Sequence, residues 1–133
     1  MTPIRLVVVD DHMVFREGLR ALLGRVDDIE IVGEAANTQD AVEVTEALRP
    51  DVVLMDLNLP GDGGEAATTM ILAAHPEVAV LVLTMHSDDT HLRHALHAGA
   101  RGYLLKDAEP DDLRRSSAER RASTMSTSSP RTR

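Results

Sequence analysis

The sequence predicts an α/β protein built on an open, doubly wound sheet of five parallel strands, and three observations carry that reading. Short aliphatic runs alternate with segments of helical period as far as about residue 115. Several runs are apolar on consecutive residues, as strands buried on both faces are, and such strands belong to parallel sheets. Polar residues able to do chemistry stand just after the runs, at the carboxyl ends of strands where such a sheet places its ligand site.

The runs are Ile4 to Val9, Ile29 to Val32, Val52 to Met55, Val78 to Leu83 and Gly102 to Leu105. In the first intervening segment Phe15, Leu19 and Leu22 fall at i, i+4, i+7, the stripe of a helix that covers a sheet. The second carries Ala41, Val44 and Leu48, with Thr38 as its expected N-cap and Pro50 stopping it beyond Arg49. The third carries Ala67, Met70, Ile71 and Ala74, and His75-Pro76 closes it. The fourth carries Leu92, Ala95 and Leu96, beginning near Ser87 or Asp88 and ending at Gly99. Five such βα units in a row predict right-handed crossovers.

The chain's 133 residues make one domain of ordinary size. A domain of this length buries roughly two-thirds of the surface that its unfolded chain exposes. With one Phe and one Tyr, its core has to be built from Val, Leu, Ile, Ala and Met. The lack of cysteine excludes disulfides, thiol catalysis and cysteine-ligated zinc together. The opening MTPIRLVVVDD is interrupted by acid too soon for a signal peptide or membrane span, so the expectation is a cytoplasmic protein with no membrane partner.

Charge is unevenly placed. Arg120, Arg121, Arg131 and Arg133 face only Glu119 in residues 116–133, so that stretch carries +3 and residues 1–115 the remaining −11 of a formal net −8. So acidic a domain suits a cation or a basic partner surface rather than nucleic acid. The arginine-bearing tail has neither aromatics nor a helix-turn-helix, and no direct nucleic-acid binding is expected of it.

Asp10-Asp11 follow the first run, Asp56 the third, Thr84 the fourth and Lys106 the fifth. Three carboxylates on one rim repel one another unless some stay protonated or a cation joins them. With no Cys, and no His at the strand ends except His12, the ligands are hard oxygens, which favours magnesium over zinc. Magnesium binds one or two carboxylates plus a phosphate, leaving a third as nucleophile or outer-sphere ligand. A lysine ammonium and a threonine hydroxyl suit two phosphoryl oxygens. Without a Gly-rich phosphate loop, the phosphate reads as a group to be accepted rather than part of a nucleotide.

Taken singly, these residues have plainer readings. Asp10-Asp11 could be an N-cap pair worth about 1 kcal/mol, Thr84 plain strand propensity, and Tyr103 packing. Asp10-Asp11, Asp56, Thr84 and Lys106 together favour the site. His91, His94 and His97, at i, i+3, i+6, suggest a metal face, but the outer two drift apart around the helix and a solvated polar face reads better.

Five stretches carry a family likeness: VVVDDHMVFREGLRALL at 7–23, VGEA at 32–35, PDVVLMDLNLPGDGG at 50–64, VLVLTMH at 80–86 and ALHAGARGYLLKDA at 95–108. Over about residues 4–115 the chain resembles the receiver domains of response regulators. Within them it is similar to the NarL/FixJ (LuxR-type) branch, which usually adds a C-terminal helix-turn-helix. The resemblance implies a flavodoxin-like (βα)5 fold, with residues 1–115 as the receiver domain. It implies that Asp56 accepts phosphate from a sensor histidine kinase with Mg2+ as cofactor. Asp11, Asp56 and the backbone carbonyl of Asn58 would hold the ion directly, and Asp10 through water. Thr84 would be the switch hydroxyl, Lys106 the salt bridge to the phosphoryl group, and Tyr103 the aromatic that follows Thr84. Asn58 and His86 stand where the family tunes the lifetime of the phosphoryl group. The implied role is a phosphoacceptor switch in a two-component system, with self-phosphorylation and self-dephosphorylation as its only chemistry. It would change a protein-interaction surface for signalling or transcription control; a homodimer stays open.

The family pattern breaks after residue 115. A fifth helix opening near Pro110 needs apolar residues near 116, 117 and 120, where the chain has Ser116, Ser117 and Arg120. The stretch ERRASTMSTSSPRTR has the composition of a disordered tail. The expectation is a short or degraded fifth helix, a Ser/Thr/Arg-rich tail over 116–133 and no helix-turn-helix domain. A truncation, a shifted reading frame or an artificial end accounts for such a tail. Two other readings compete with this one. A haloacid-dehalogenase-like phosphohydrolase wants Asp where Asn58 stands; a truncated or inert receiver fragment, acting only as an interaction module, fits the altered end.

Overall fold

The computed structural model describes residues 2–85 and 90–106. Among the described residues nine elements follow one another: β1 (Ile4–Val9), α1 (Met13–Leu23), β2 (Ile29–Ala35), α2 (Thr38–Leu48), β3 (Val52–Asp56), α3 (Gly63–Ala74), β4 (Ala79–Thr84), α4 (Thr90–His97) and β5 (Gly102–Leu105). The expected fifth helix, the tail and His86 lie outside the described residues. All the strand pairs are parallel, in the order β2-β1-β3-β4-β5. The chain leaves β1 in one direction for β2 and in the other for β3 to β5. This is the flavodoxin-like doubly wound sheet, with its switch point between β1 and β3.

Alternation along each strand sorts the core into two layers. Val7, Val9, Val53, Met55, Val80, Val82 and Tyr103 meet Ala41 of α2, Ala67 and Ile71 of α3, and Leu92 and Ala95 of α4. Leu6, Val8, Val52, Leu54, Leu81, Leu83 and Leu104 form the opposite layer with Leu19 and Leu23 of α1. Burying each such side chain fully is worth about 1.5–3 kcal/mol, so β3, buried along its whole length, is firmly anchored.

Several helix faces differ from expectation. In α1 the buried line runs through Leu19 and Leu23, and Leu22 is exposed, because i+4 keeps to one face where i+3 swings outward. In α3 the buried residues are Gly64, Ala67, Thr68 and Ile71, leaving Met70 and Ala74 outside. The N-cap of α2 is Asn37, whose side chain accepts the Asp40 N–H at 2.8 Å. Thr38 instead turns its buried hydroxyl across to the loop before α3. Strand β2 continues past Val32 to Ala35 because a bulge lets Leu6 pair with Ile31 and Val7 with Gly33. A Cβ on Gly33 would come within 2.7 Å of Leu48 Cδ1, so glycine lets α2 pack there. Two expected helix ends hold: Arg49, left-handed at φ 50°, closes α2 before Pro50, and Gly99 at φ 119° follows α4, whose expected start at Ser87 or Asp88 lies outside the described residues.

Candidate functional site

Because β1 and β3 are neighbours, their carboxyl ends bring Asp10 and Asp56 to one rim. Asp10 keeps its N–H in the sheet, donating to the Ala35 carbonyl at 3.0 Å. Its Oδ1 accepts the His12 N–H at 2.8 Å, an Asx-type turn that starts the chain into α1. The N-cap of α1 is His12, which makes no side-chain cap, so Asp10-Asp11 are not a cap pair. Arg16 clasps the turn, donating to the Asp10 carbonyl and to Glu34 of β2.

Asp56 is 1% exposed. Its Oδ1 accepts the Asn58 N–H at 3.1 Å, and the next residue, Leu57, donates to the Leu83 carbonyl. Lys106 reaches the same rim from β5, held by its own N–H donating to the Thr84 carbonyl at 3.0 Å. Its Nζ lies 2.8 Å from Asp10 Oδ2, 3.6 Å from Asp56 Oδ2 and 3.4 Å from His12 Nδ1. The same ammonium stands 4.7 Å from the centroid of the Phe15 ring, a cation–π contact with α1. Thr84 is buried at the end of β4 beside Leu105, and Tyr103 is buried beside Val82.

The five residues divide by strand parity. Asp10, Asp56 and Lys106 continue the alternation of Val8, Leu54 and Leu104, on the α1 side. Thr84 and Tyr103 share the side of Val82, facing α2, α3 and α4. Phe15 and Gly64 carry no advance signal of their place here, since each belongs to an ordinary helical context, whereas His12 stands out as the histidine beside a strand end. A side chain on Gly64 would collide with the Asp56 carbonyl oxygen.

Burial raises the Asp56 carboxyl above the ordinary aspartate value. The Asn58 N–H and Lys106 oppose that rise; the charges of Asp10 and Asp11 add to it. The donor set fits a hard divalent cation. Ligand atoms of Asp10, Asp11, His12 and Asp56 all lie within 4.8 Å of one another. Among the described residues Asp56 Oδ2 is buried and accepts no hydrogen bond, with Lys106 Nζ at 3.6 Å, and the buried Asp10 Oδ2 is ion-paired with that ammonium at 2.8 Å. Magnesium suits such carboxylate oxygens.

The α4 histidines do more than line a solvated face. His91 Nδ1 and His94 Nδ1 each lie 3.0 Å from a different carboxylate oxygen of Glu65, bridging α4 to α3. His75, buried at the end of α3, makes a 2.7 Å bond to Glu46 of α2. Among the described residues no helix is long and apolar enough to cross a membrane.

A strand-end triad of acids at the switch point of a (βα)-repeat sheet, with Thr and Lys on the following strands, defines a class. The chain belongs to the response regulator receiver domain family, whose model matches residues 6–117. It is 42% identical over 110 residues to the transcriptional regulatory protein DegU of Brevibacillus brevis, covering 83% of this chain and 47% of that protein. It superposes with a TM-score of 0.86 on a LuxR-family two-component response regulator from Aurantimonas, at 35% identity, over 96% of this chain and 89% of the other. The receiver domain of a putative response regulator NarL from Mycobacterium tuberculosis also gives 0.86, at 31% identity, over 92% of this chain and 98% of that domain. The chain spans about half the length of the curated relatives it matches, and within them it covers the receiver part.

Proposed function

We propose that this chain is a phosphorylatable switch, with Asp56 as the acceptor of a phosphoryl group from the phosphohistidine of a sensor kinase. The observation that carries the reading is the Asp56 carboxylate itself: buried, with one oxygen free of hydrogen bonds, among Asp10, Asp11 and Lys106. A buried carboxylate oxygen left without a hydrogen bond costs about 1–3 kcal/mol, a cost that a bound cation would offset.

In the proposed transfer an Asp56 carboxylate oxygen forms a bond to phosphorus while the phosphorus–nitrogen bond breaks, its electron pair staying on the donor imidazole. Magnesium, bound by Asp11, Asp56 and the Asn58 carbonyl and through water by Asp10, would supply positive charge that offsets the crowding of anions. The Asn58 N–H holds Oδ1 of Asp56, which leaves Oδ2, facing Lys106, as the oxygen without a hydrogen bond among the described residues. Lys106 can pass from Asp10 to a phosphoryl oxygen, and the Thr84 hydroxyl can donate to another. Asn58 and His86 would set the lifetime of the acyl phosphate. Movement of Thr84 and Tyr103 would bias a two-state equilibrium on the surface of α4 and β5. Residues 1–115 would act as the receiver, with 116–133 as an appended tail. Its setting would be the cytoplasm, its output transcription control, and a second copy of the chain one candidate partner.

The test is incubation with a small-molecule phosphodonor and magnesium, read by intact mass. A gain of one phosphoryl group, lost in Asp56→Ala, supports the switch. A folded wild-type sample that gains nothing refutes it and leaves an inert interaction module.

A further inference from the structure

The carboxylates at the rim are joined by a nitrogen. His12 Nδ1 lies 2.9 Å from Asp10 Oδ1 and 3.3 Å from Asp11 Oδ1, and it belongs to the group of ligand atoms that all fall within 4.8 Å of one another. In an octahedral shell with metal–ligand lengths of about 2.1 Å, adjacent donors stand about 3.0 Å apart. Both separations are close to that, and the 2.9 Å one is a hydrogen bond that an ion taking the same two atoms would replace. The imidazole is largely exposed and makes no side-chain cap to α1, so it can turn without disturbing the helix.

A second observation points the same way. Asp56 Oδ2 is buried, accepts no hydrogen bond, and has the Lys106 ammonium at 3.6 Å as its charged neighbour. Asp10 Oδ2, also buried, is ion-paired with that ammonium at 2.8 Å. One monovalent cation therefore serves two buried carboxylates. His12 adds a donor of a different kind, since imidazole favours nickel, cobalt, zinc or copper where carboxylates alone suit magnesium.

We infer that this rim has a second metal mode, in which His12 Nδ1 joins Asp10, Asp11 and Asp56 to bind a divalent transition ion more tightly than magnesium. The inference rests on the acidic rim being a cation site, as proposed above, and adds a ligand and a selectivity to it. In this mode the rim is held by an ion ligated from β1, α1 and β3 together, and the ion competes with magnesium for the same oxygens.

The experiment is calorimetric titration of the untagged full chain with Ni2+ and with Mg2+, without phosphodonor, on wild type, His12→Ala, Asp11→Asn and a His91→Ala/His94→Ala double variant. Wild type should bind both ions, Ni2+ more tightly. His12→Ala should lower the ratio of Ni2+ to Mg2+ affinity by about tenfold or more, since losing even an outer partner of a ligand costs about 10–100-fold. Asp11→Asn should weaken both ions, and the double variant should leave the ratio as it was. An unchanged ratio in His12→Ala overturns the inference, as does loss of Ni2+ binding in the double variant alone. Wild type that binds Mg2+ with no preference for Ni2+ overturns it too, and leaves the magnesium reading standing. Wild type that binds Ni2+ through His12 but no Mg2+ upholds the inference and removes the magnesium reading instead.

Discussion

Gly64 packs so closely on Asp56 that a Cβ there would lie 2.1 Å from the Asp56 carbonyl oxygen and 2.9 Å from the carbonyl carbon. Both offending atoms are main chain, which no rotamer change can move. Gly64→Ala therefore has to push the start of α3 away from β3 or shift Asp56 itself. The expected loss is about 1–3 kcal/mol, in the range of overpacked cores, with slower phosphoryl uptake among the molecules that still fold. Urea unfolding checks the first, and a midpoint equal to wild type would contradict it. Gly63→Ala is the useful contrast: space there is open, and its cost comes from a φ of 95° alone.

Asp56 weakens the fold that holds it. Burial raises its carboxyl, so the charged form is less favourable in the folded chain than in the unfolded one. For a raised carboxyl, stability is fully present below the ordinary aspartate value of about 3.9 and is lost as pH rises through the folded value. At neutral pH the native protein bears that cost. Asp56→Asn should accordingly stabilise the metal-free protein by about 1 kcal/mol, a melting shift of about 4 °C. Magnesium should raise the melting temperature of wild type more than that of the variant. Equal shifts in the two proteins, measured by calorimetry, would count against Asp56 as a ligand.

The Thr38 hydroxyl braces the loop that follows β3. Its Oγ1 accepts the Gly63 N–H at 3.0 Å and stands 3.3 Å from the Pro60 carbonyl and 3.2 Å from that of Gly63. Thr38→Val keeps the shape and strands the Gly63 N–H, for an expected loss of about 1–3 kcal/mol. Thr38→Ser should recover most of it. If Val and Ser variants melt together, the brace is ornamental and the loop is held by its glycines.

Two glutamates give the protein an acid limb. Glu65 is lowered by its hydrogen bond to His91, then by the charges of His94 and His91, and Glu46 by its hydrogen bond to His75. A lowered carboxyl contributes stability that is present above the ordinary glutamate value of about 4.3 and is lost as pH falls through the folded value. Melting curves followed downward through a pH of about 4.3 should therefore fall less steeply for Glu65→Gln than for wild type. Both carboxylates face solvent, so the difference should also shrink in high salt.

The placement of the rim residues was more legible in the sequence than the packing. Asp10, Asp56, Thr84 and Lys106 each follow a run of aliphatic residues, and a polar group in that position has few structural reasons to be there. The helix faces were harder because several apolar residues competed for one stripe. Leu22 and Leu23 are adjacent, as are Met70 and Ile71, and only the angle at which a helix meets the sheet decides between them. Asn37 and Thr38 are both good caps, and their choice depends on the loop at Gly63, which is distant in sequence. The contact of Phe15 with Lys106 joins opposite ends of the described chain, and no local pattern announces it.

The parity of the strand ends has a consequence for how the chain can vary. Tyr103 and Lys106 stand on opposite sides of the sheet because three positions separate them, an odd count. One residue inserted or removed between them would turn Lys106 away from Asp10 and Asp56, or Tyr103 out of its layer. The spacing, rather than either residue alone, keeps the place where charge would arrive and the place where it would be felt on separate sides of a wall. The Lys106 N–H donating to the Thr84 carbonyl closes that wall at its end.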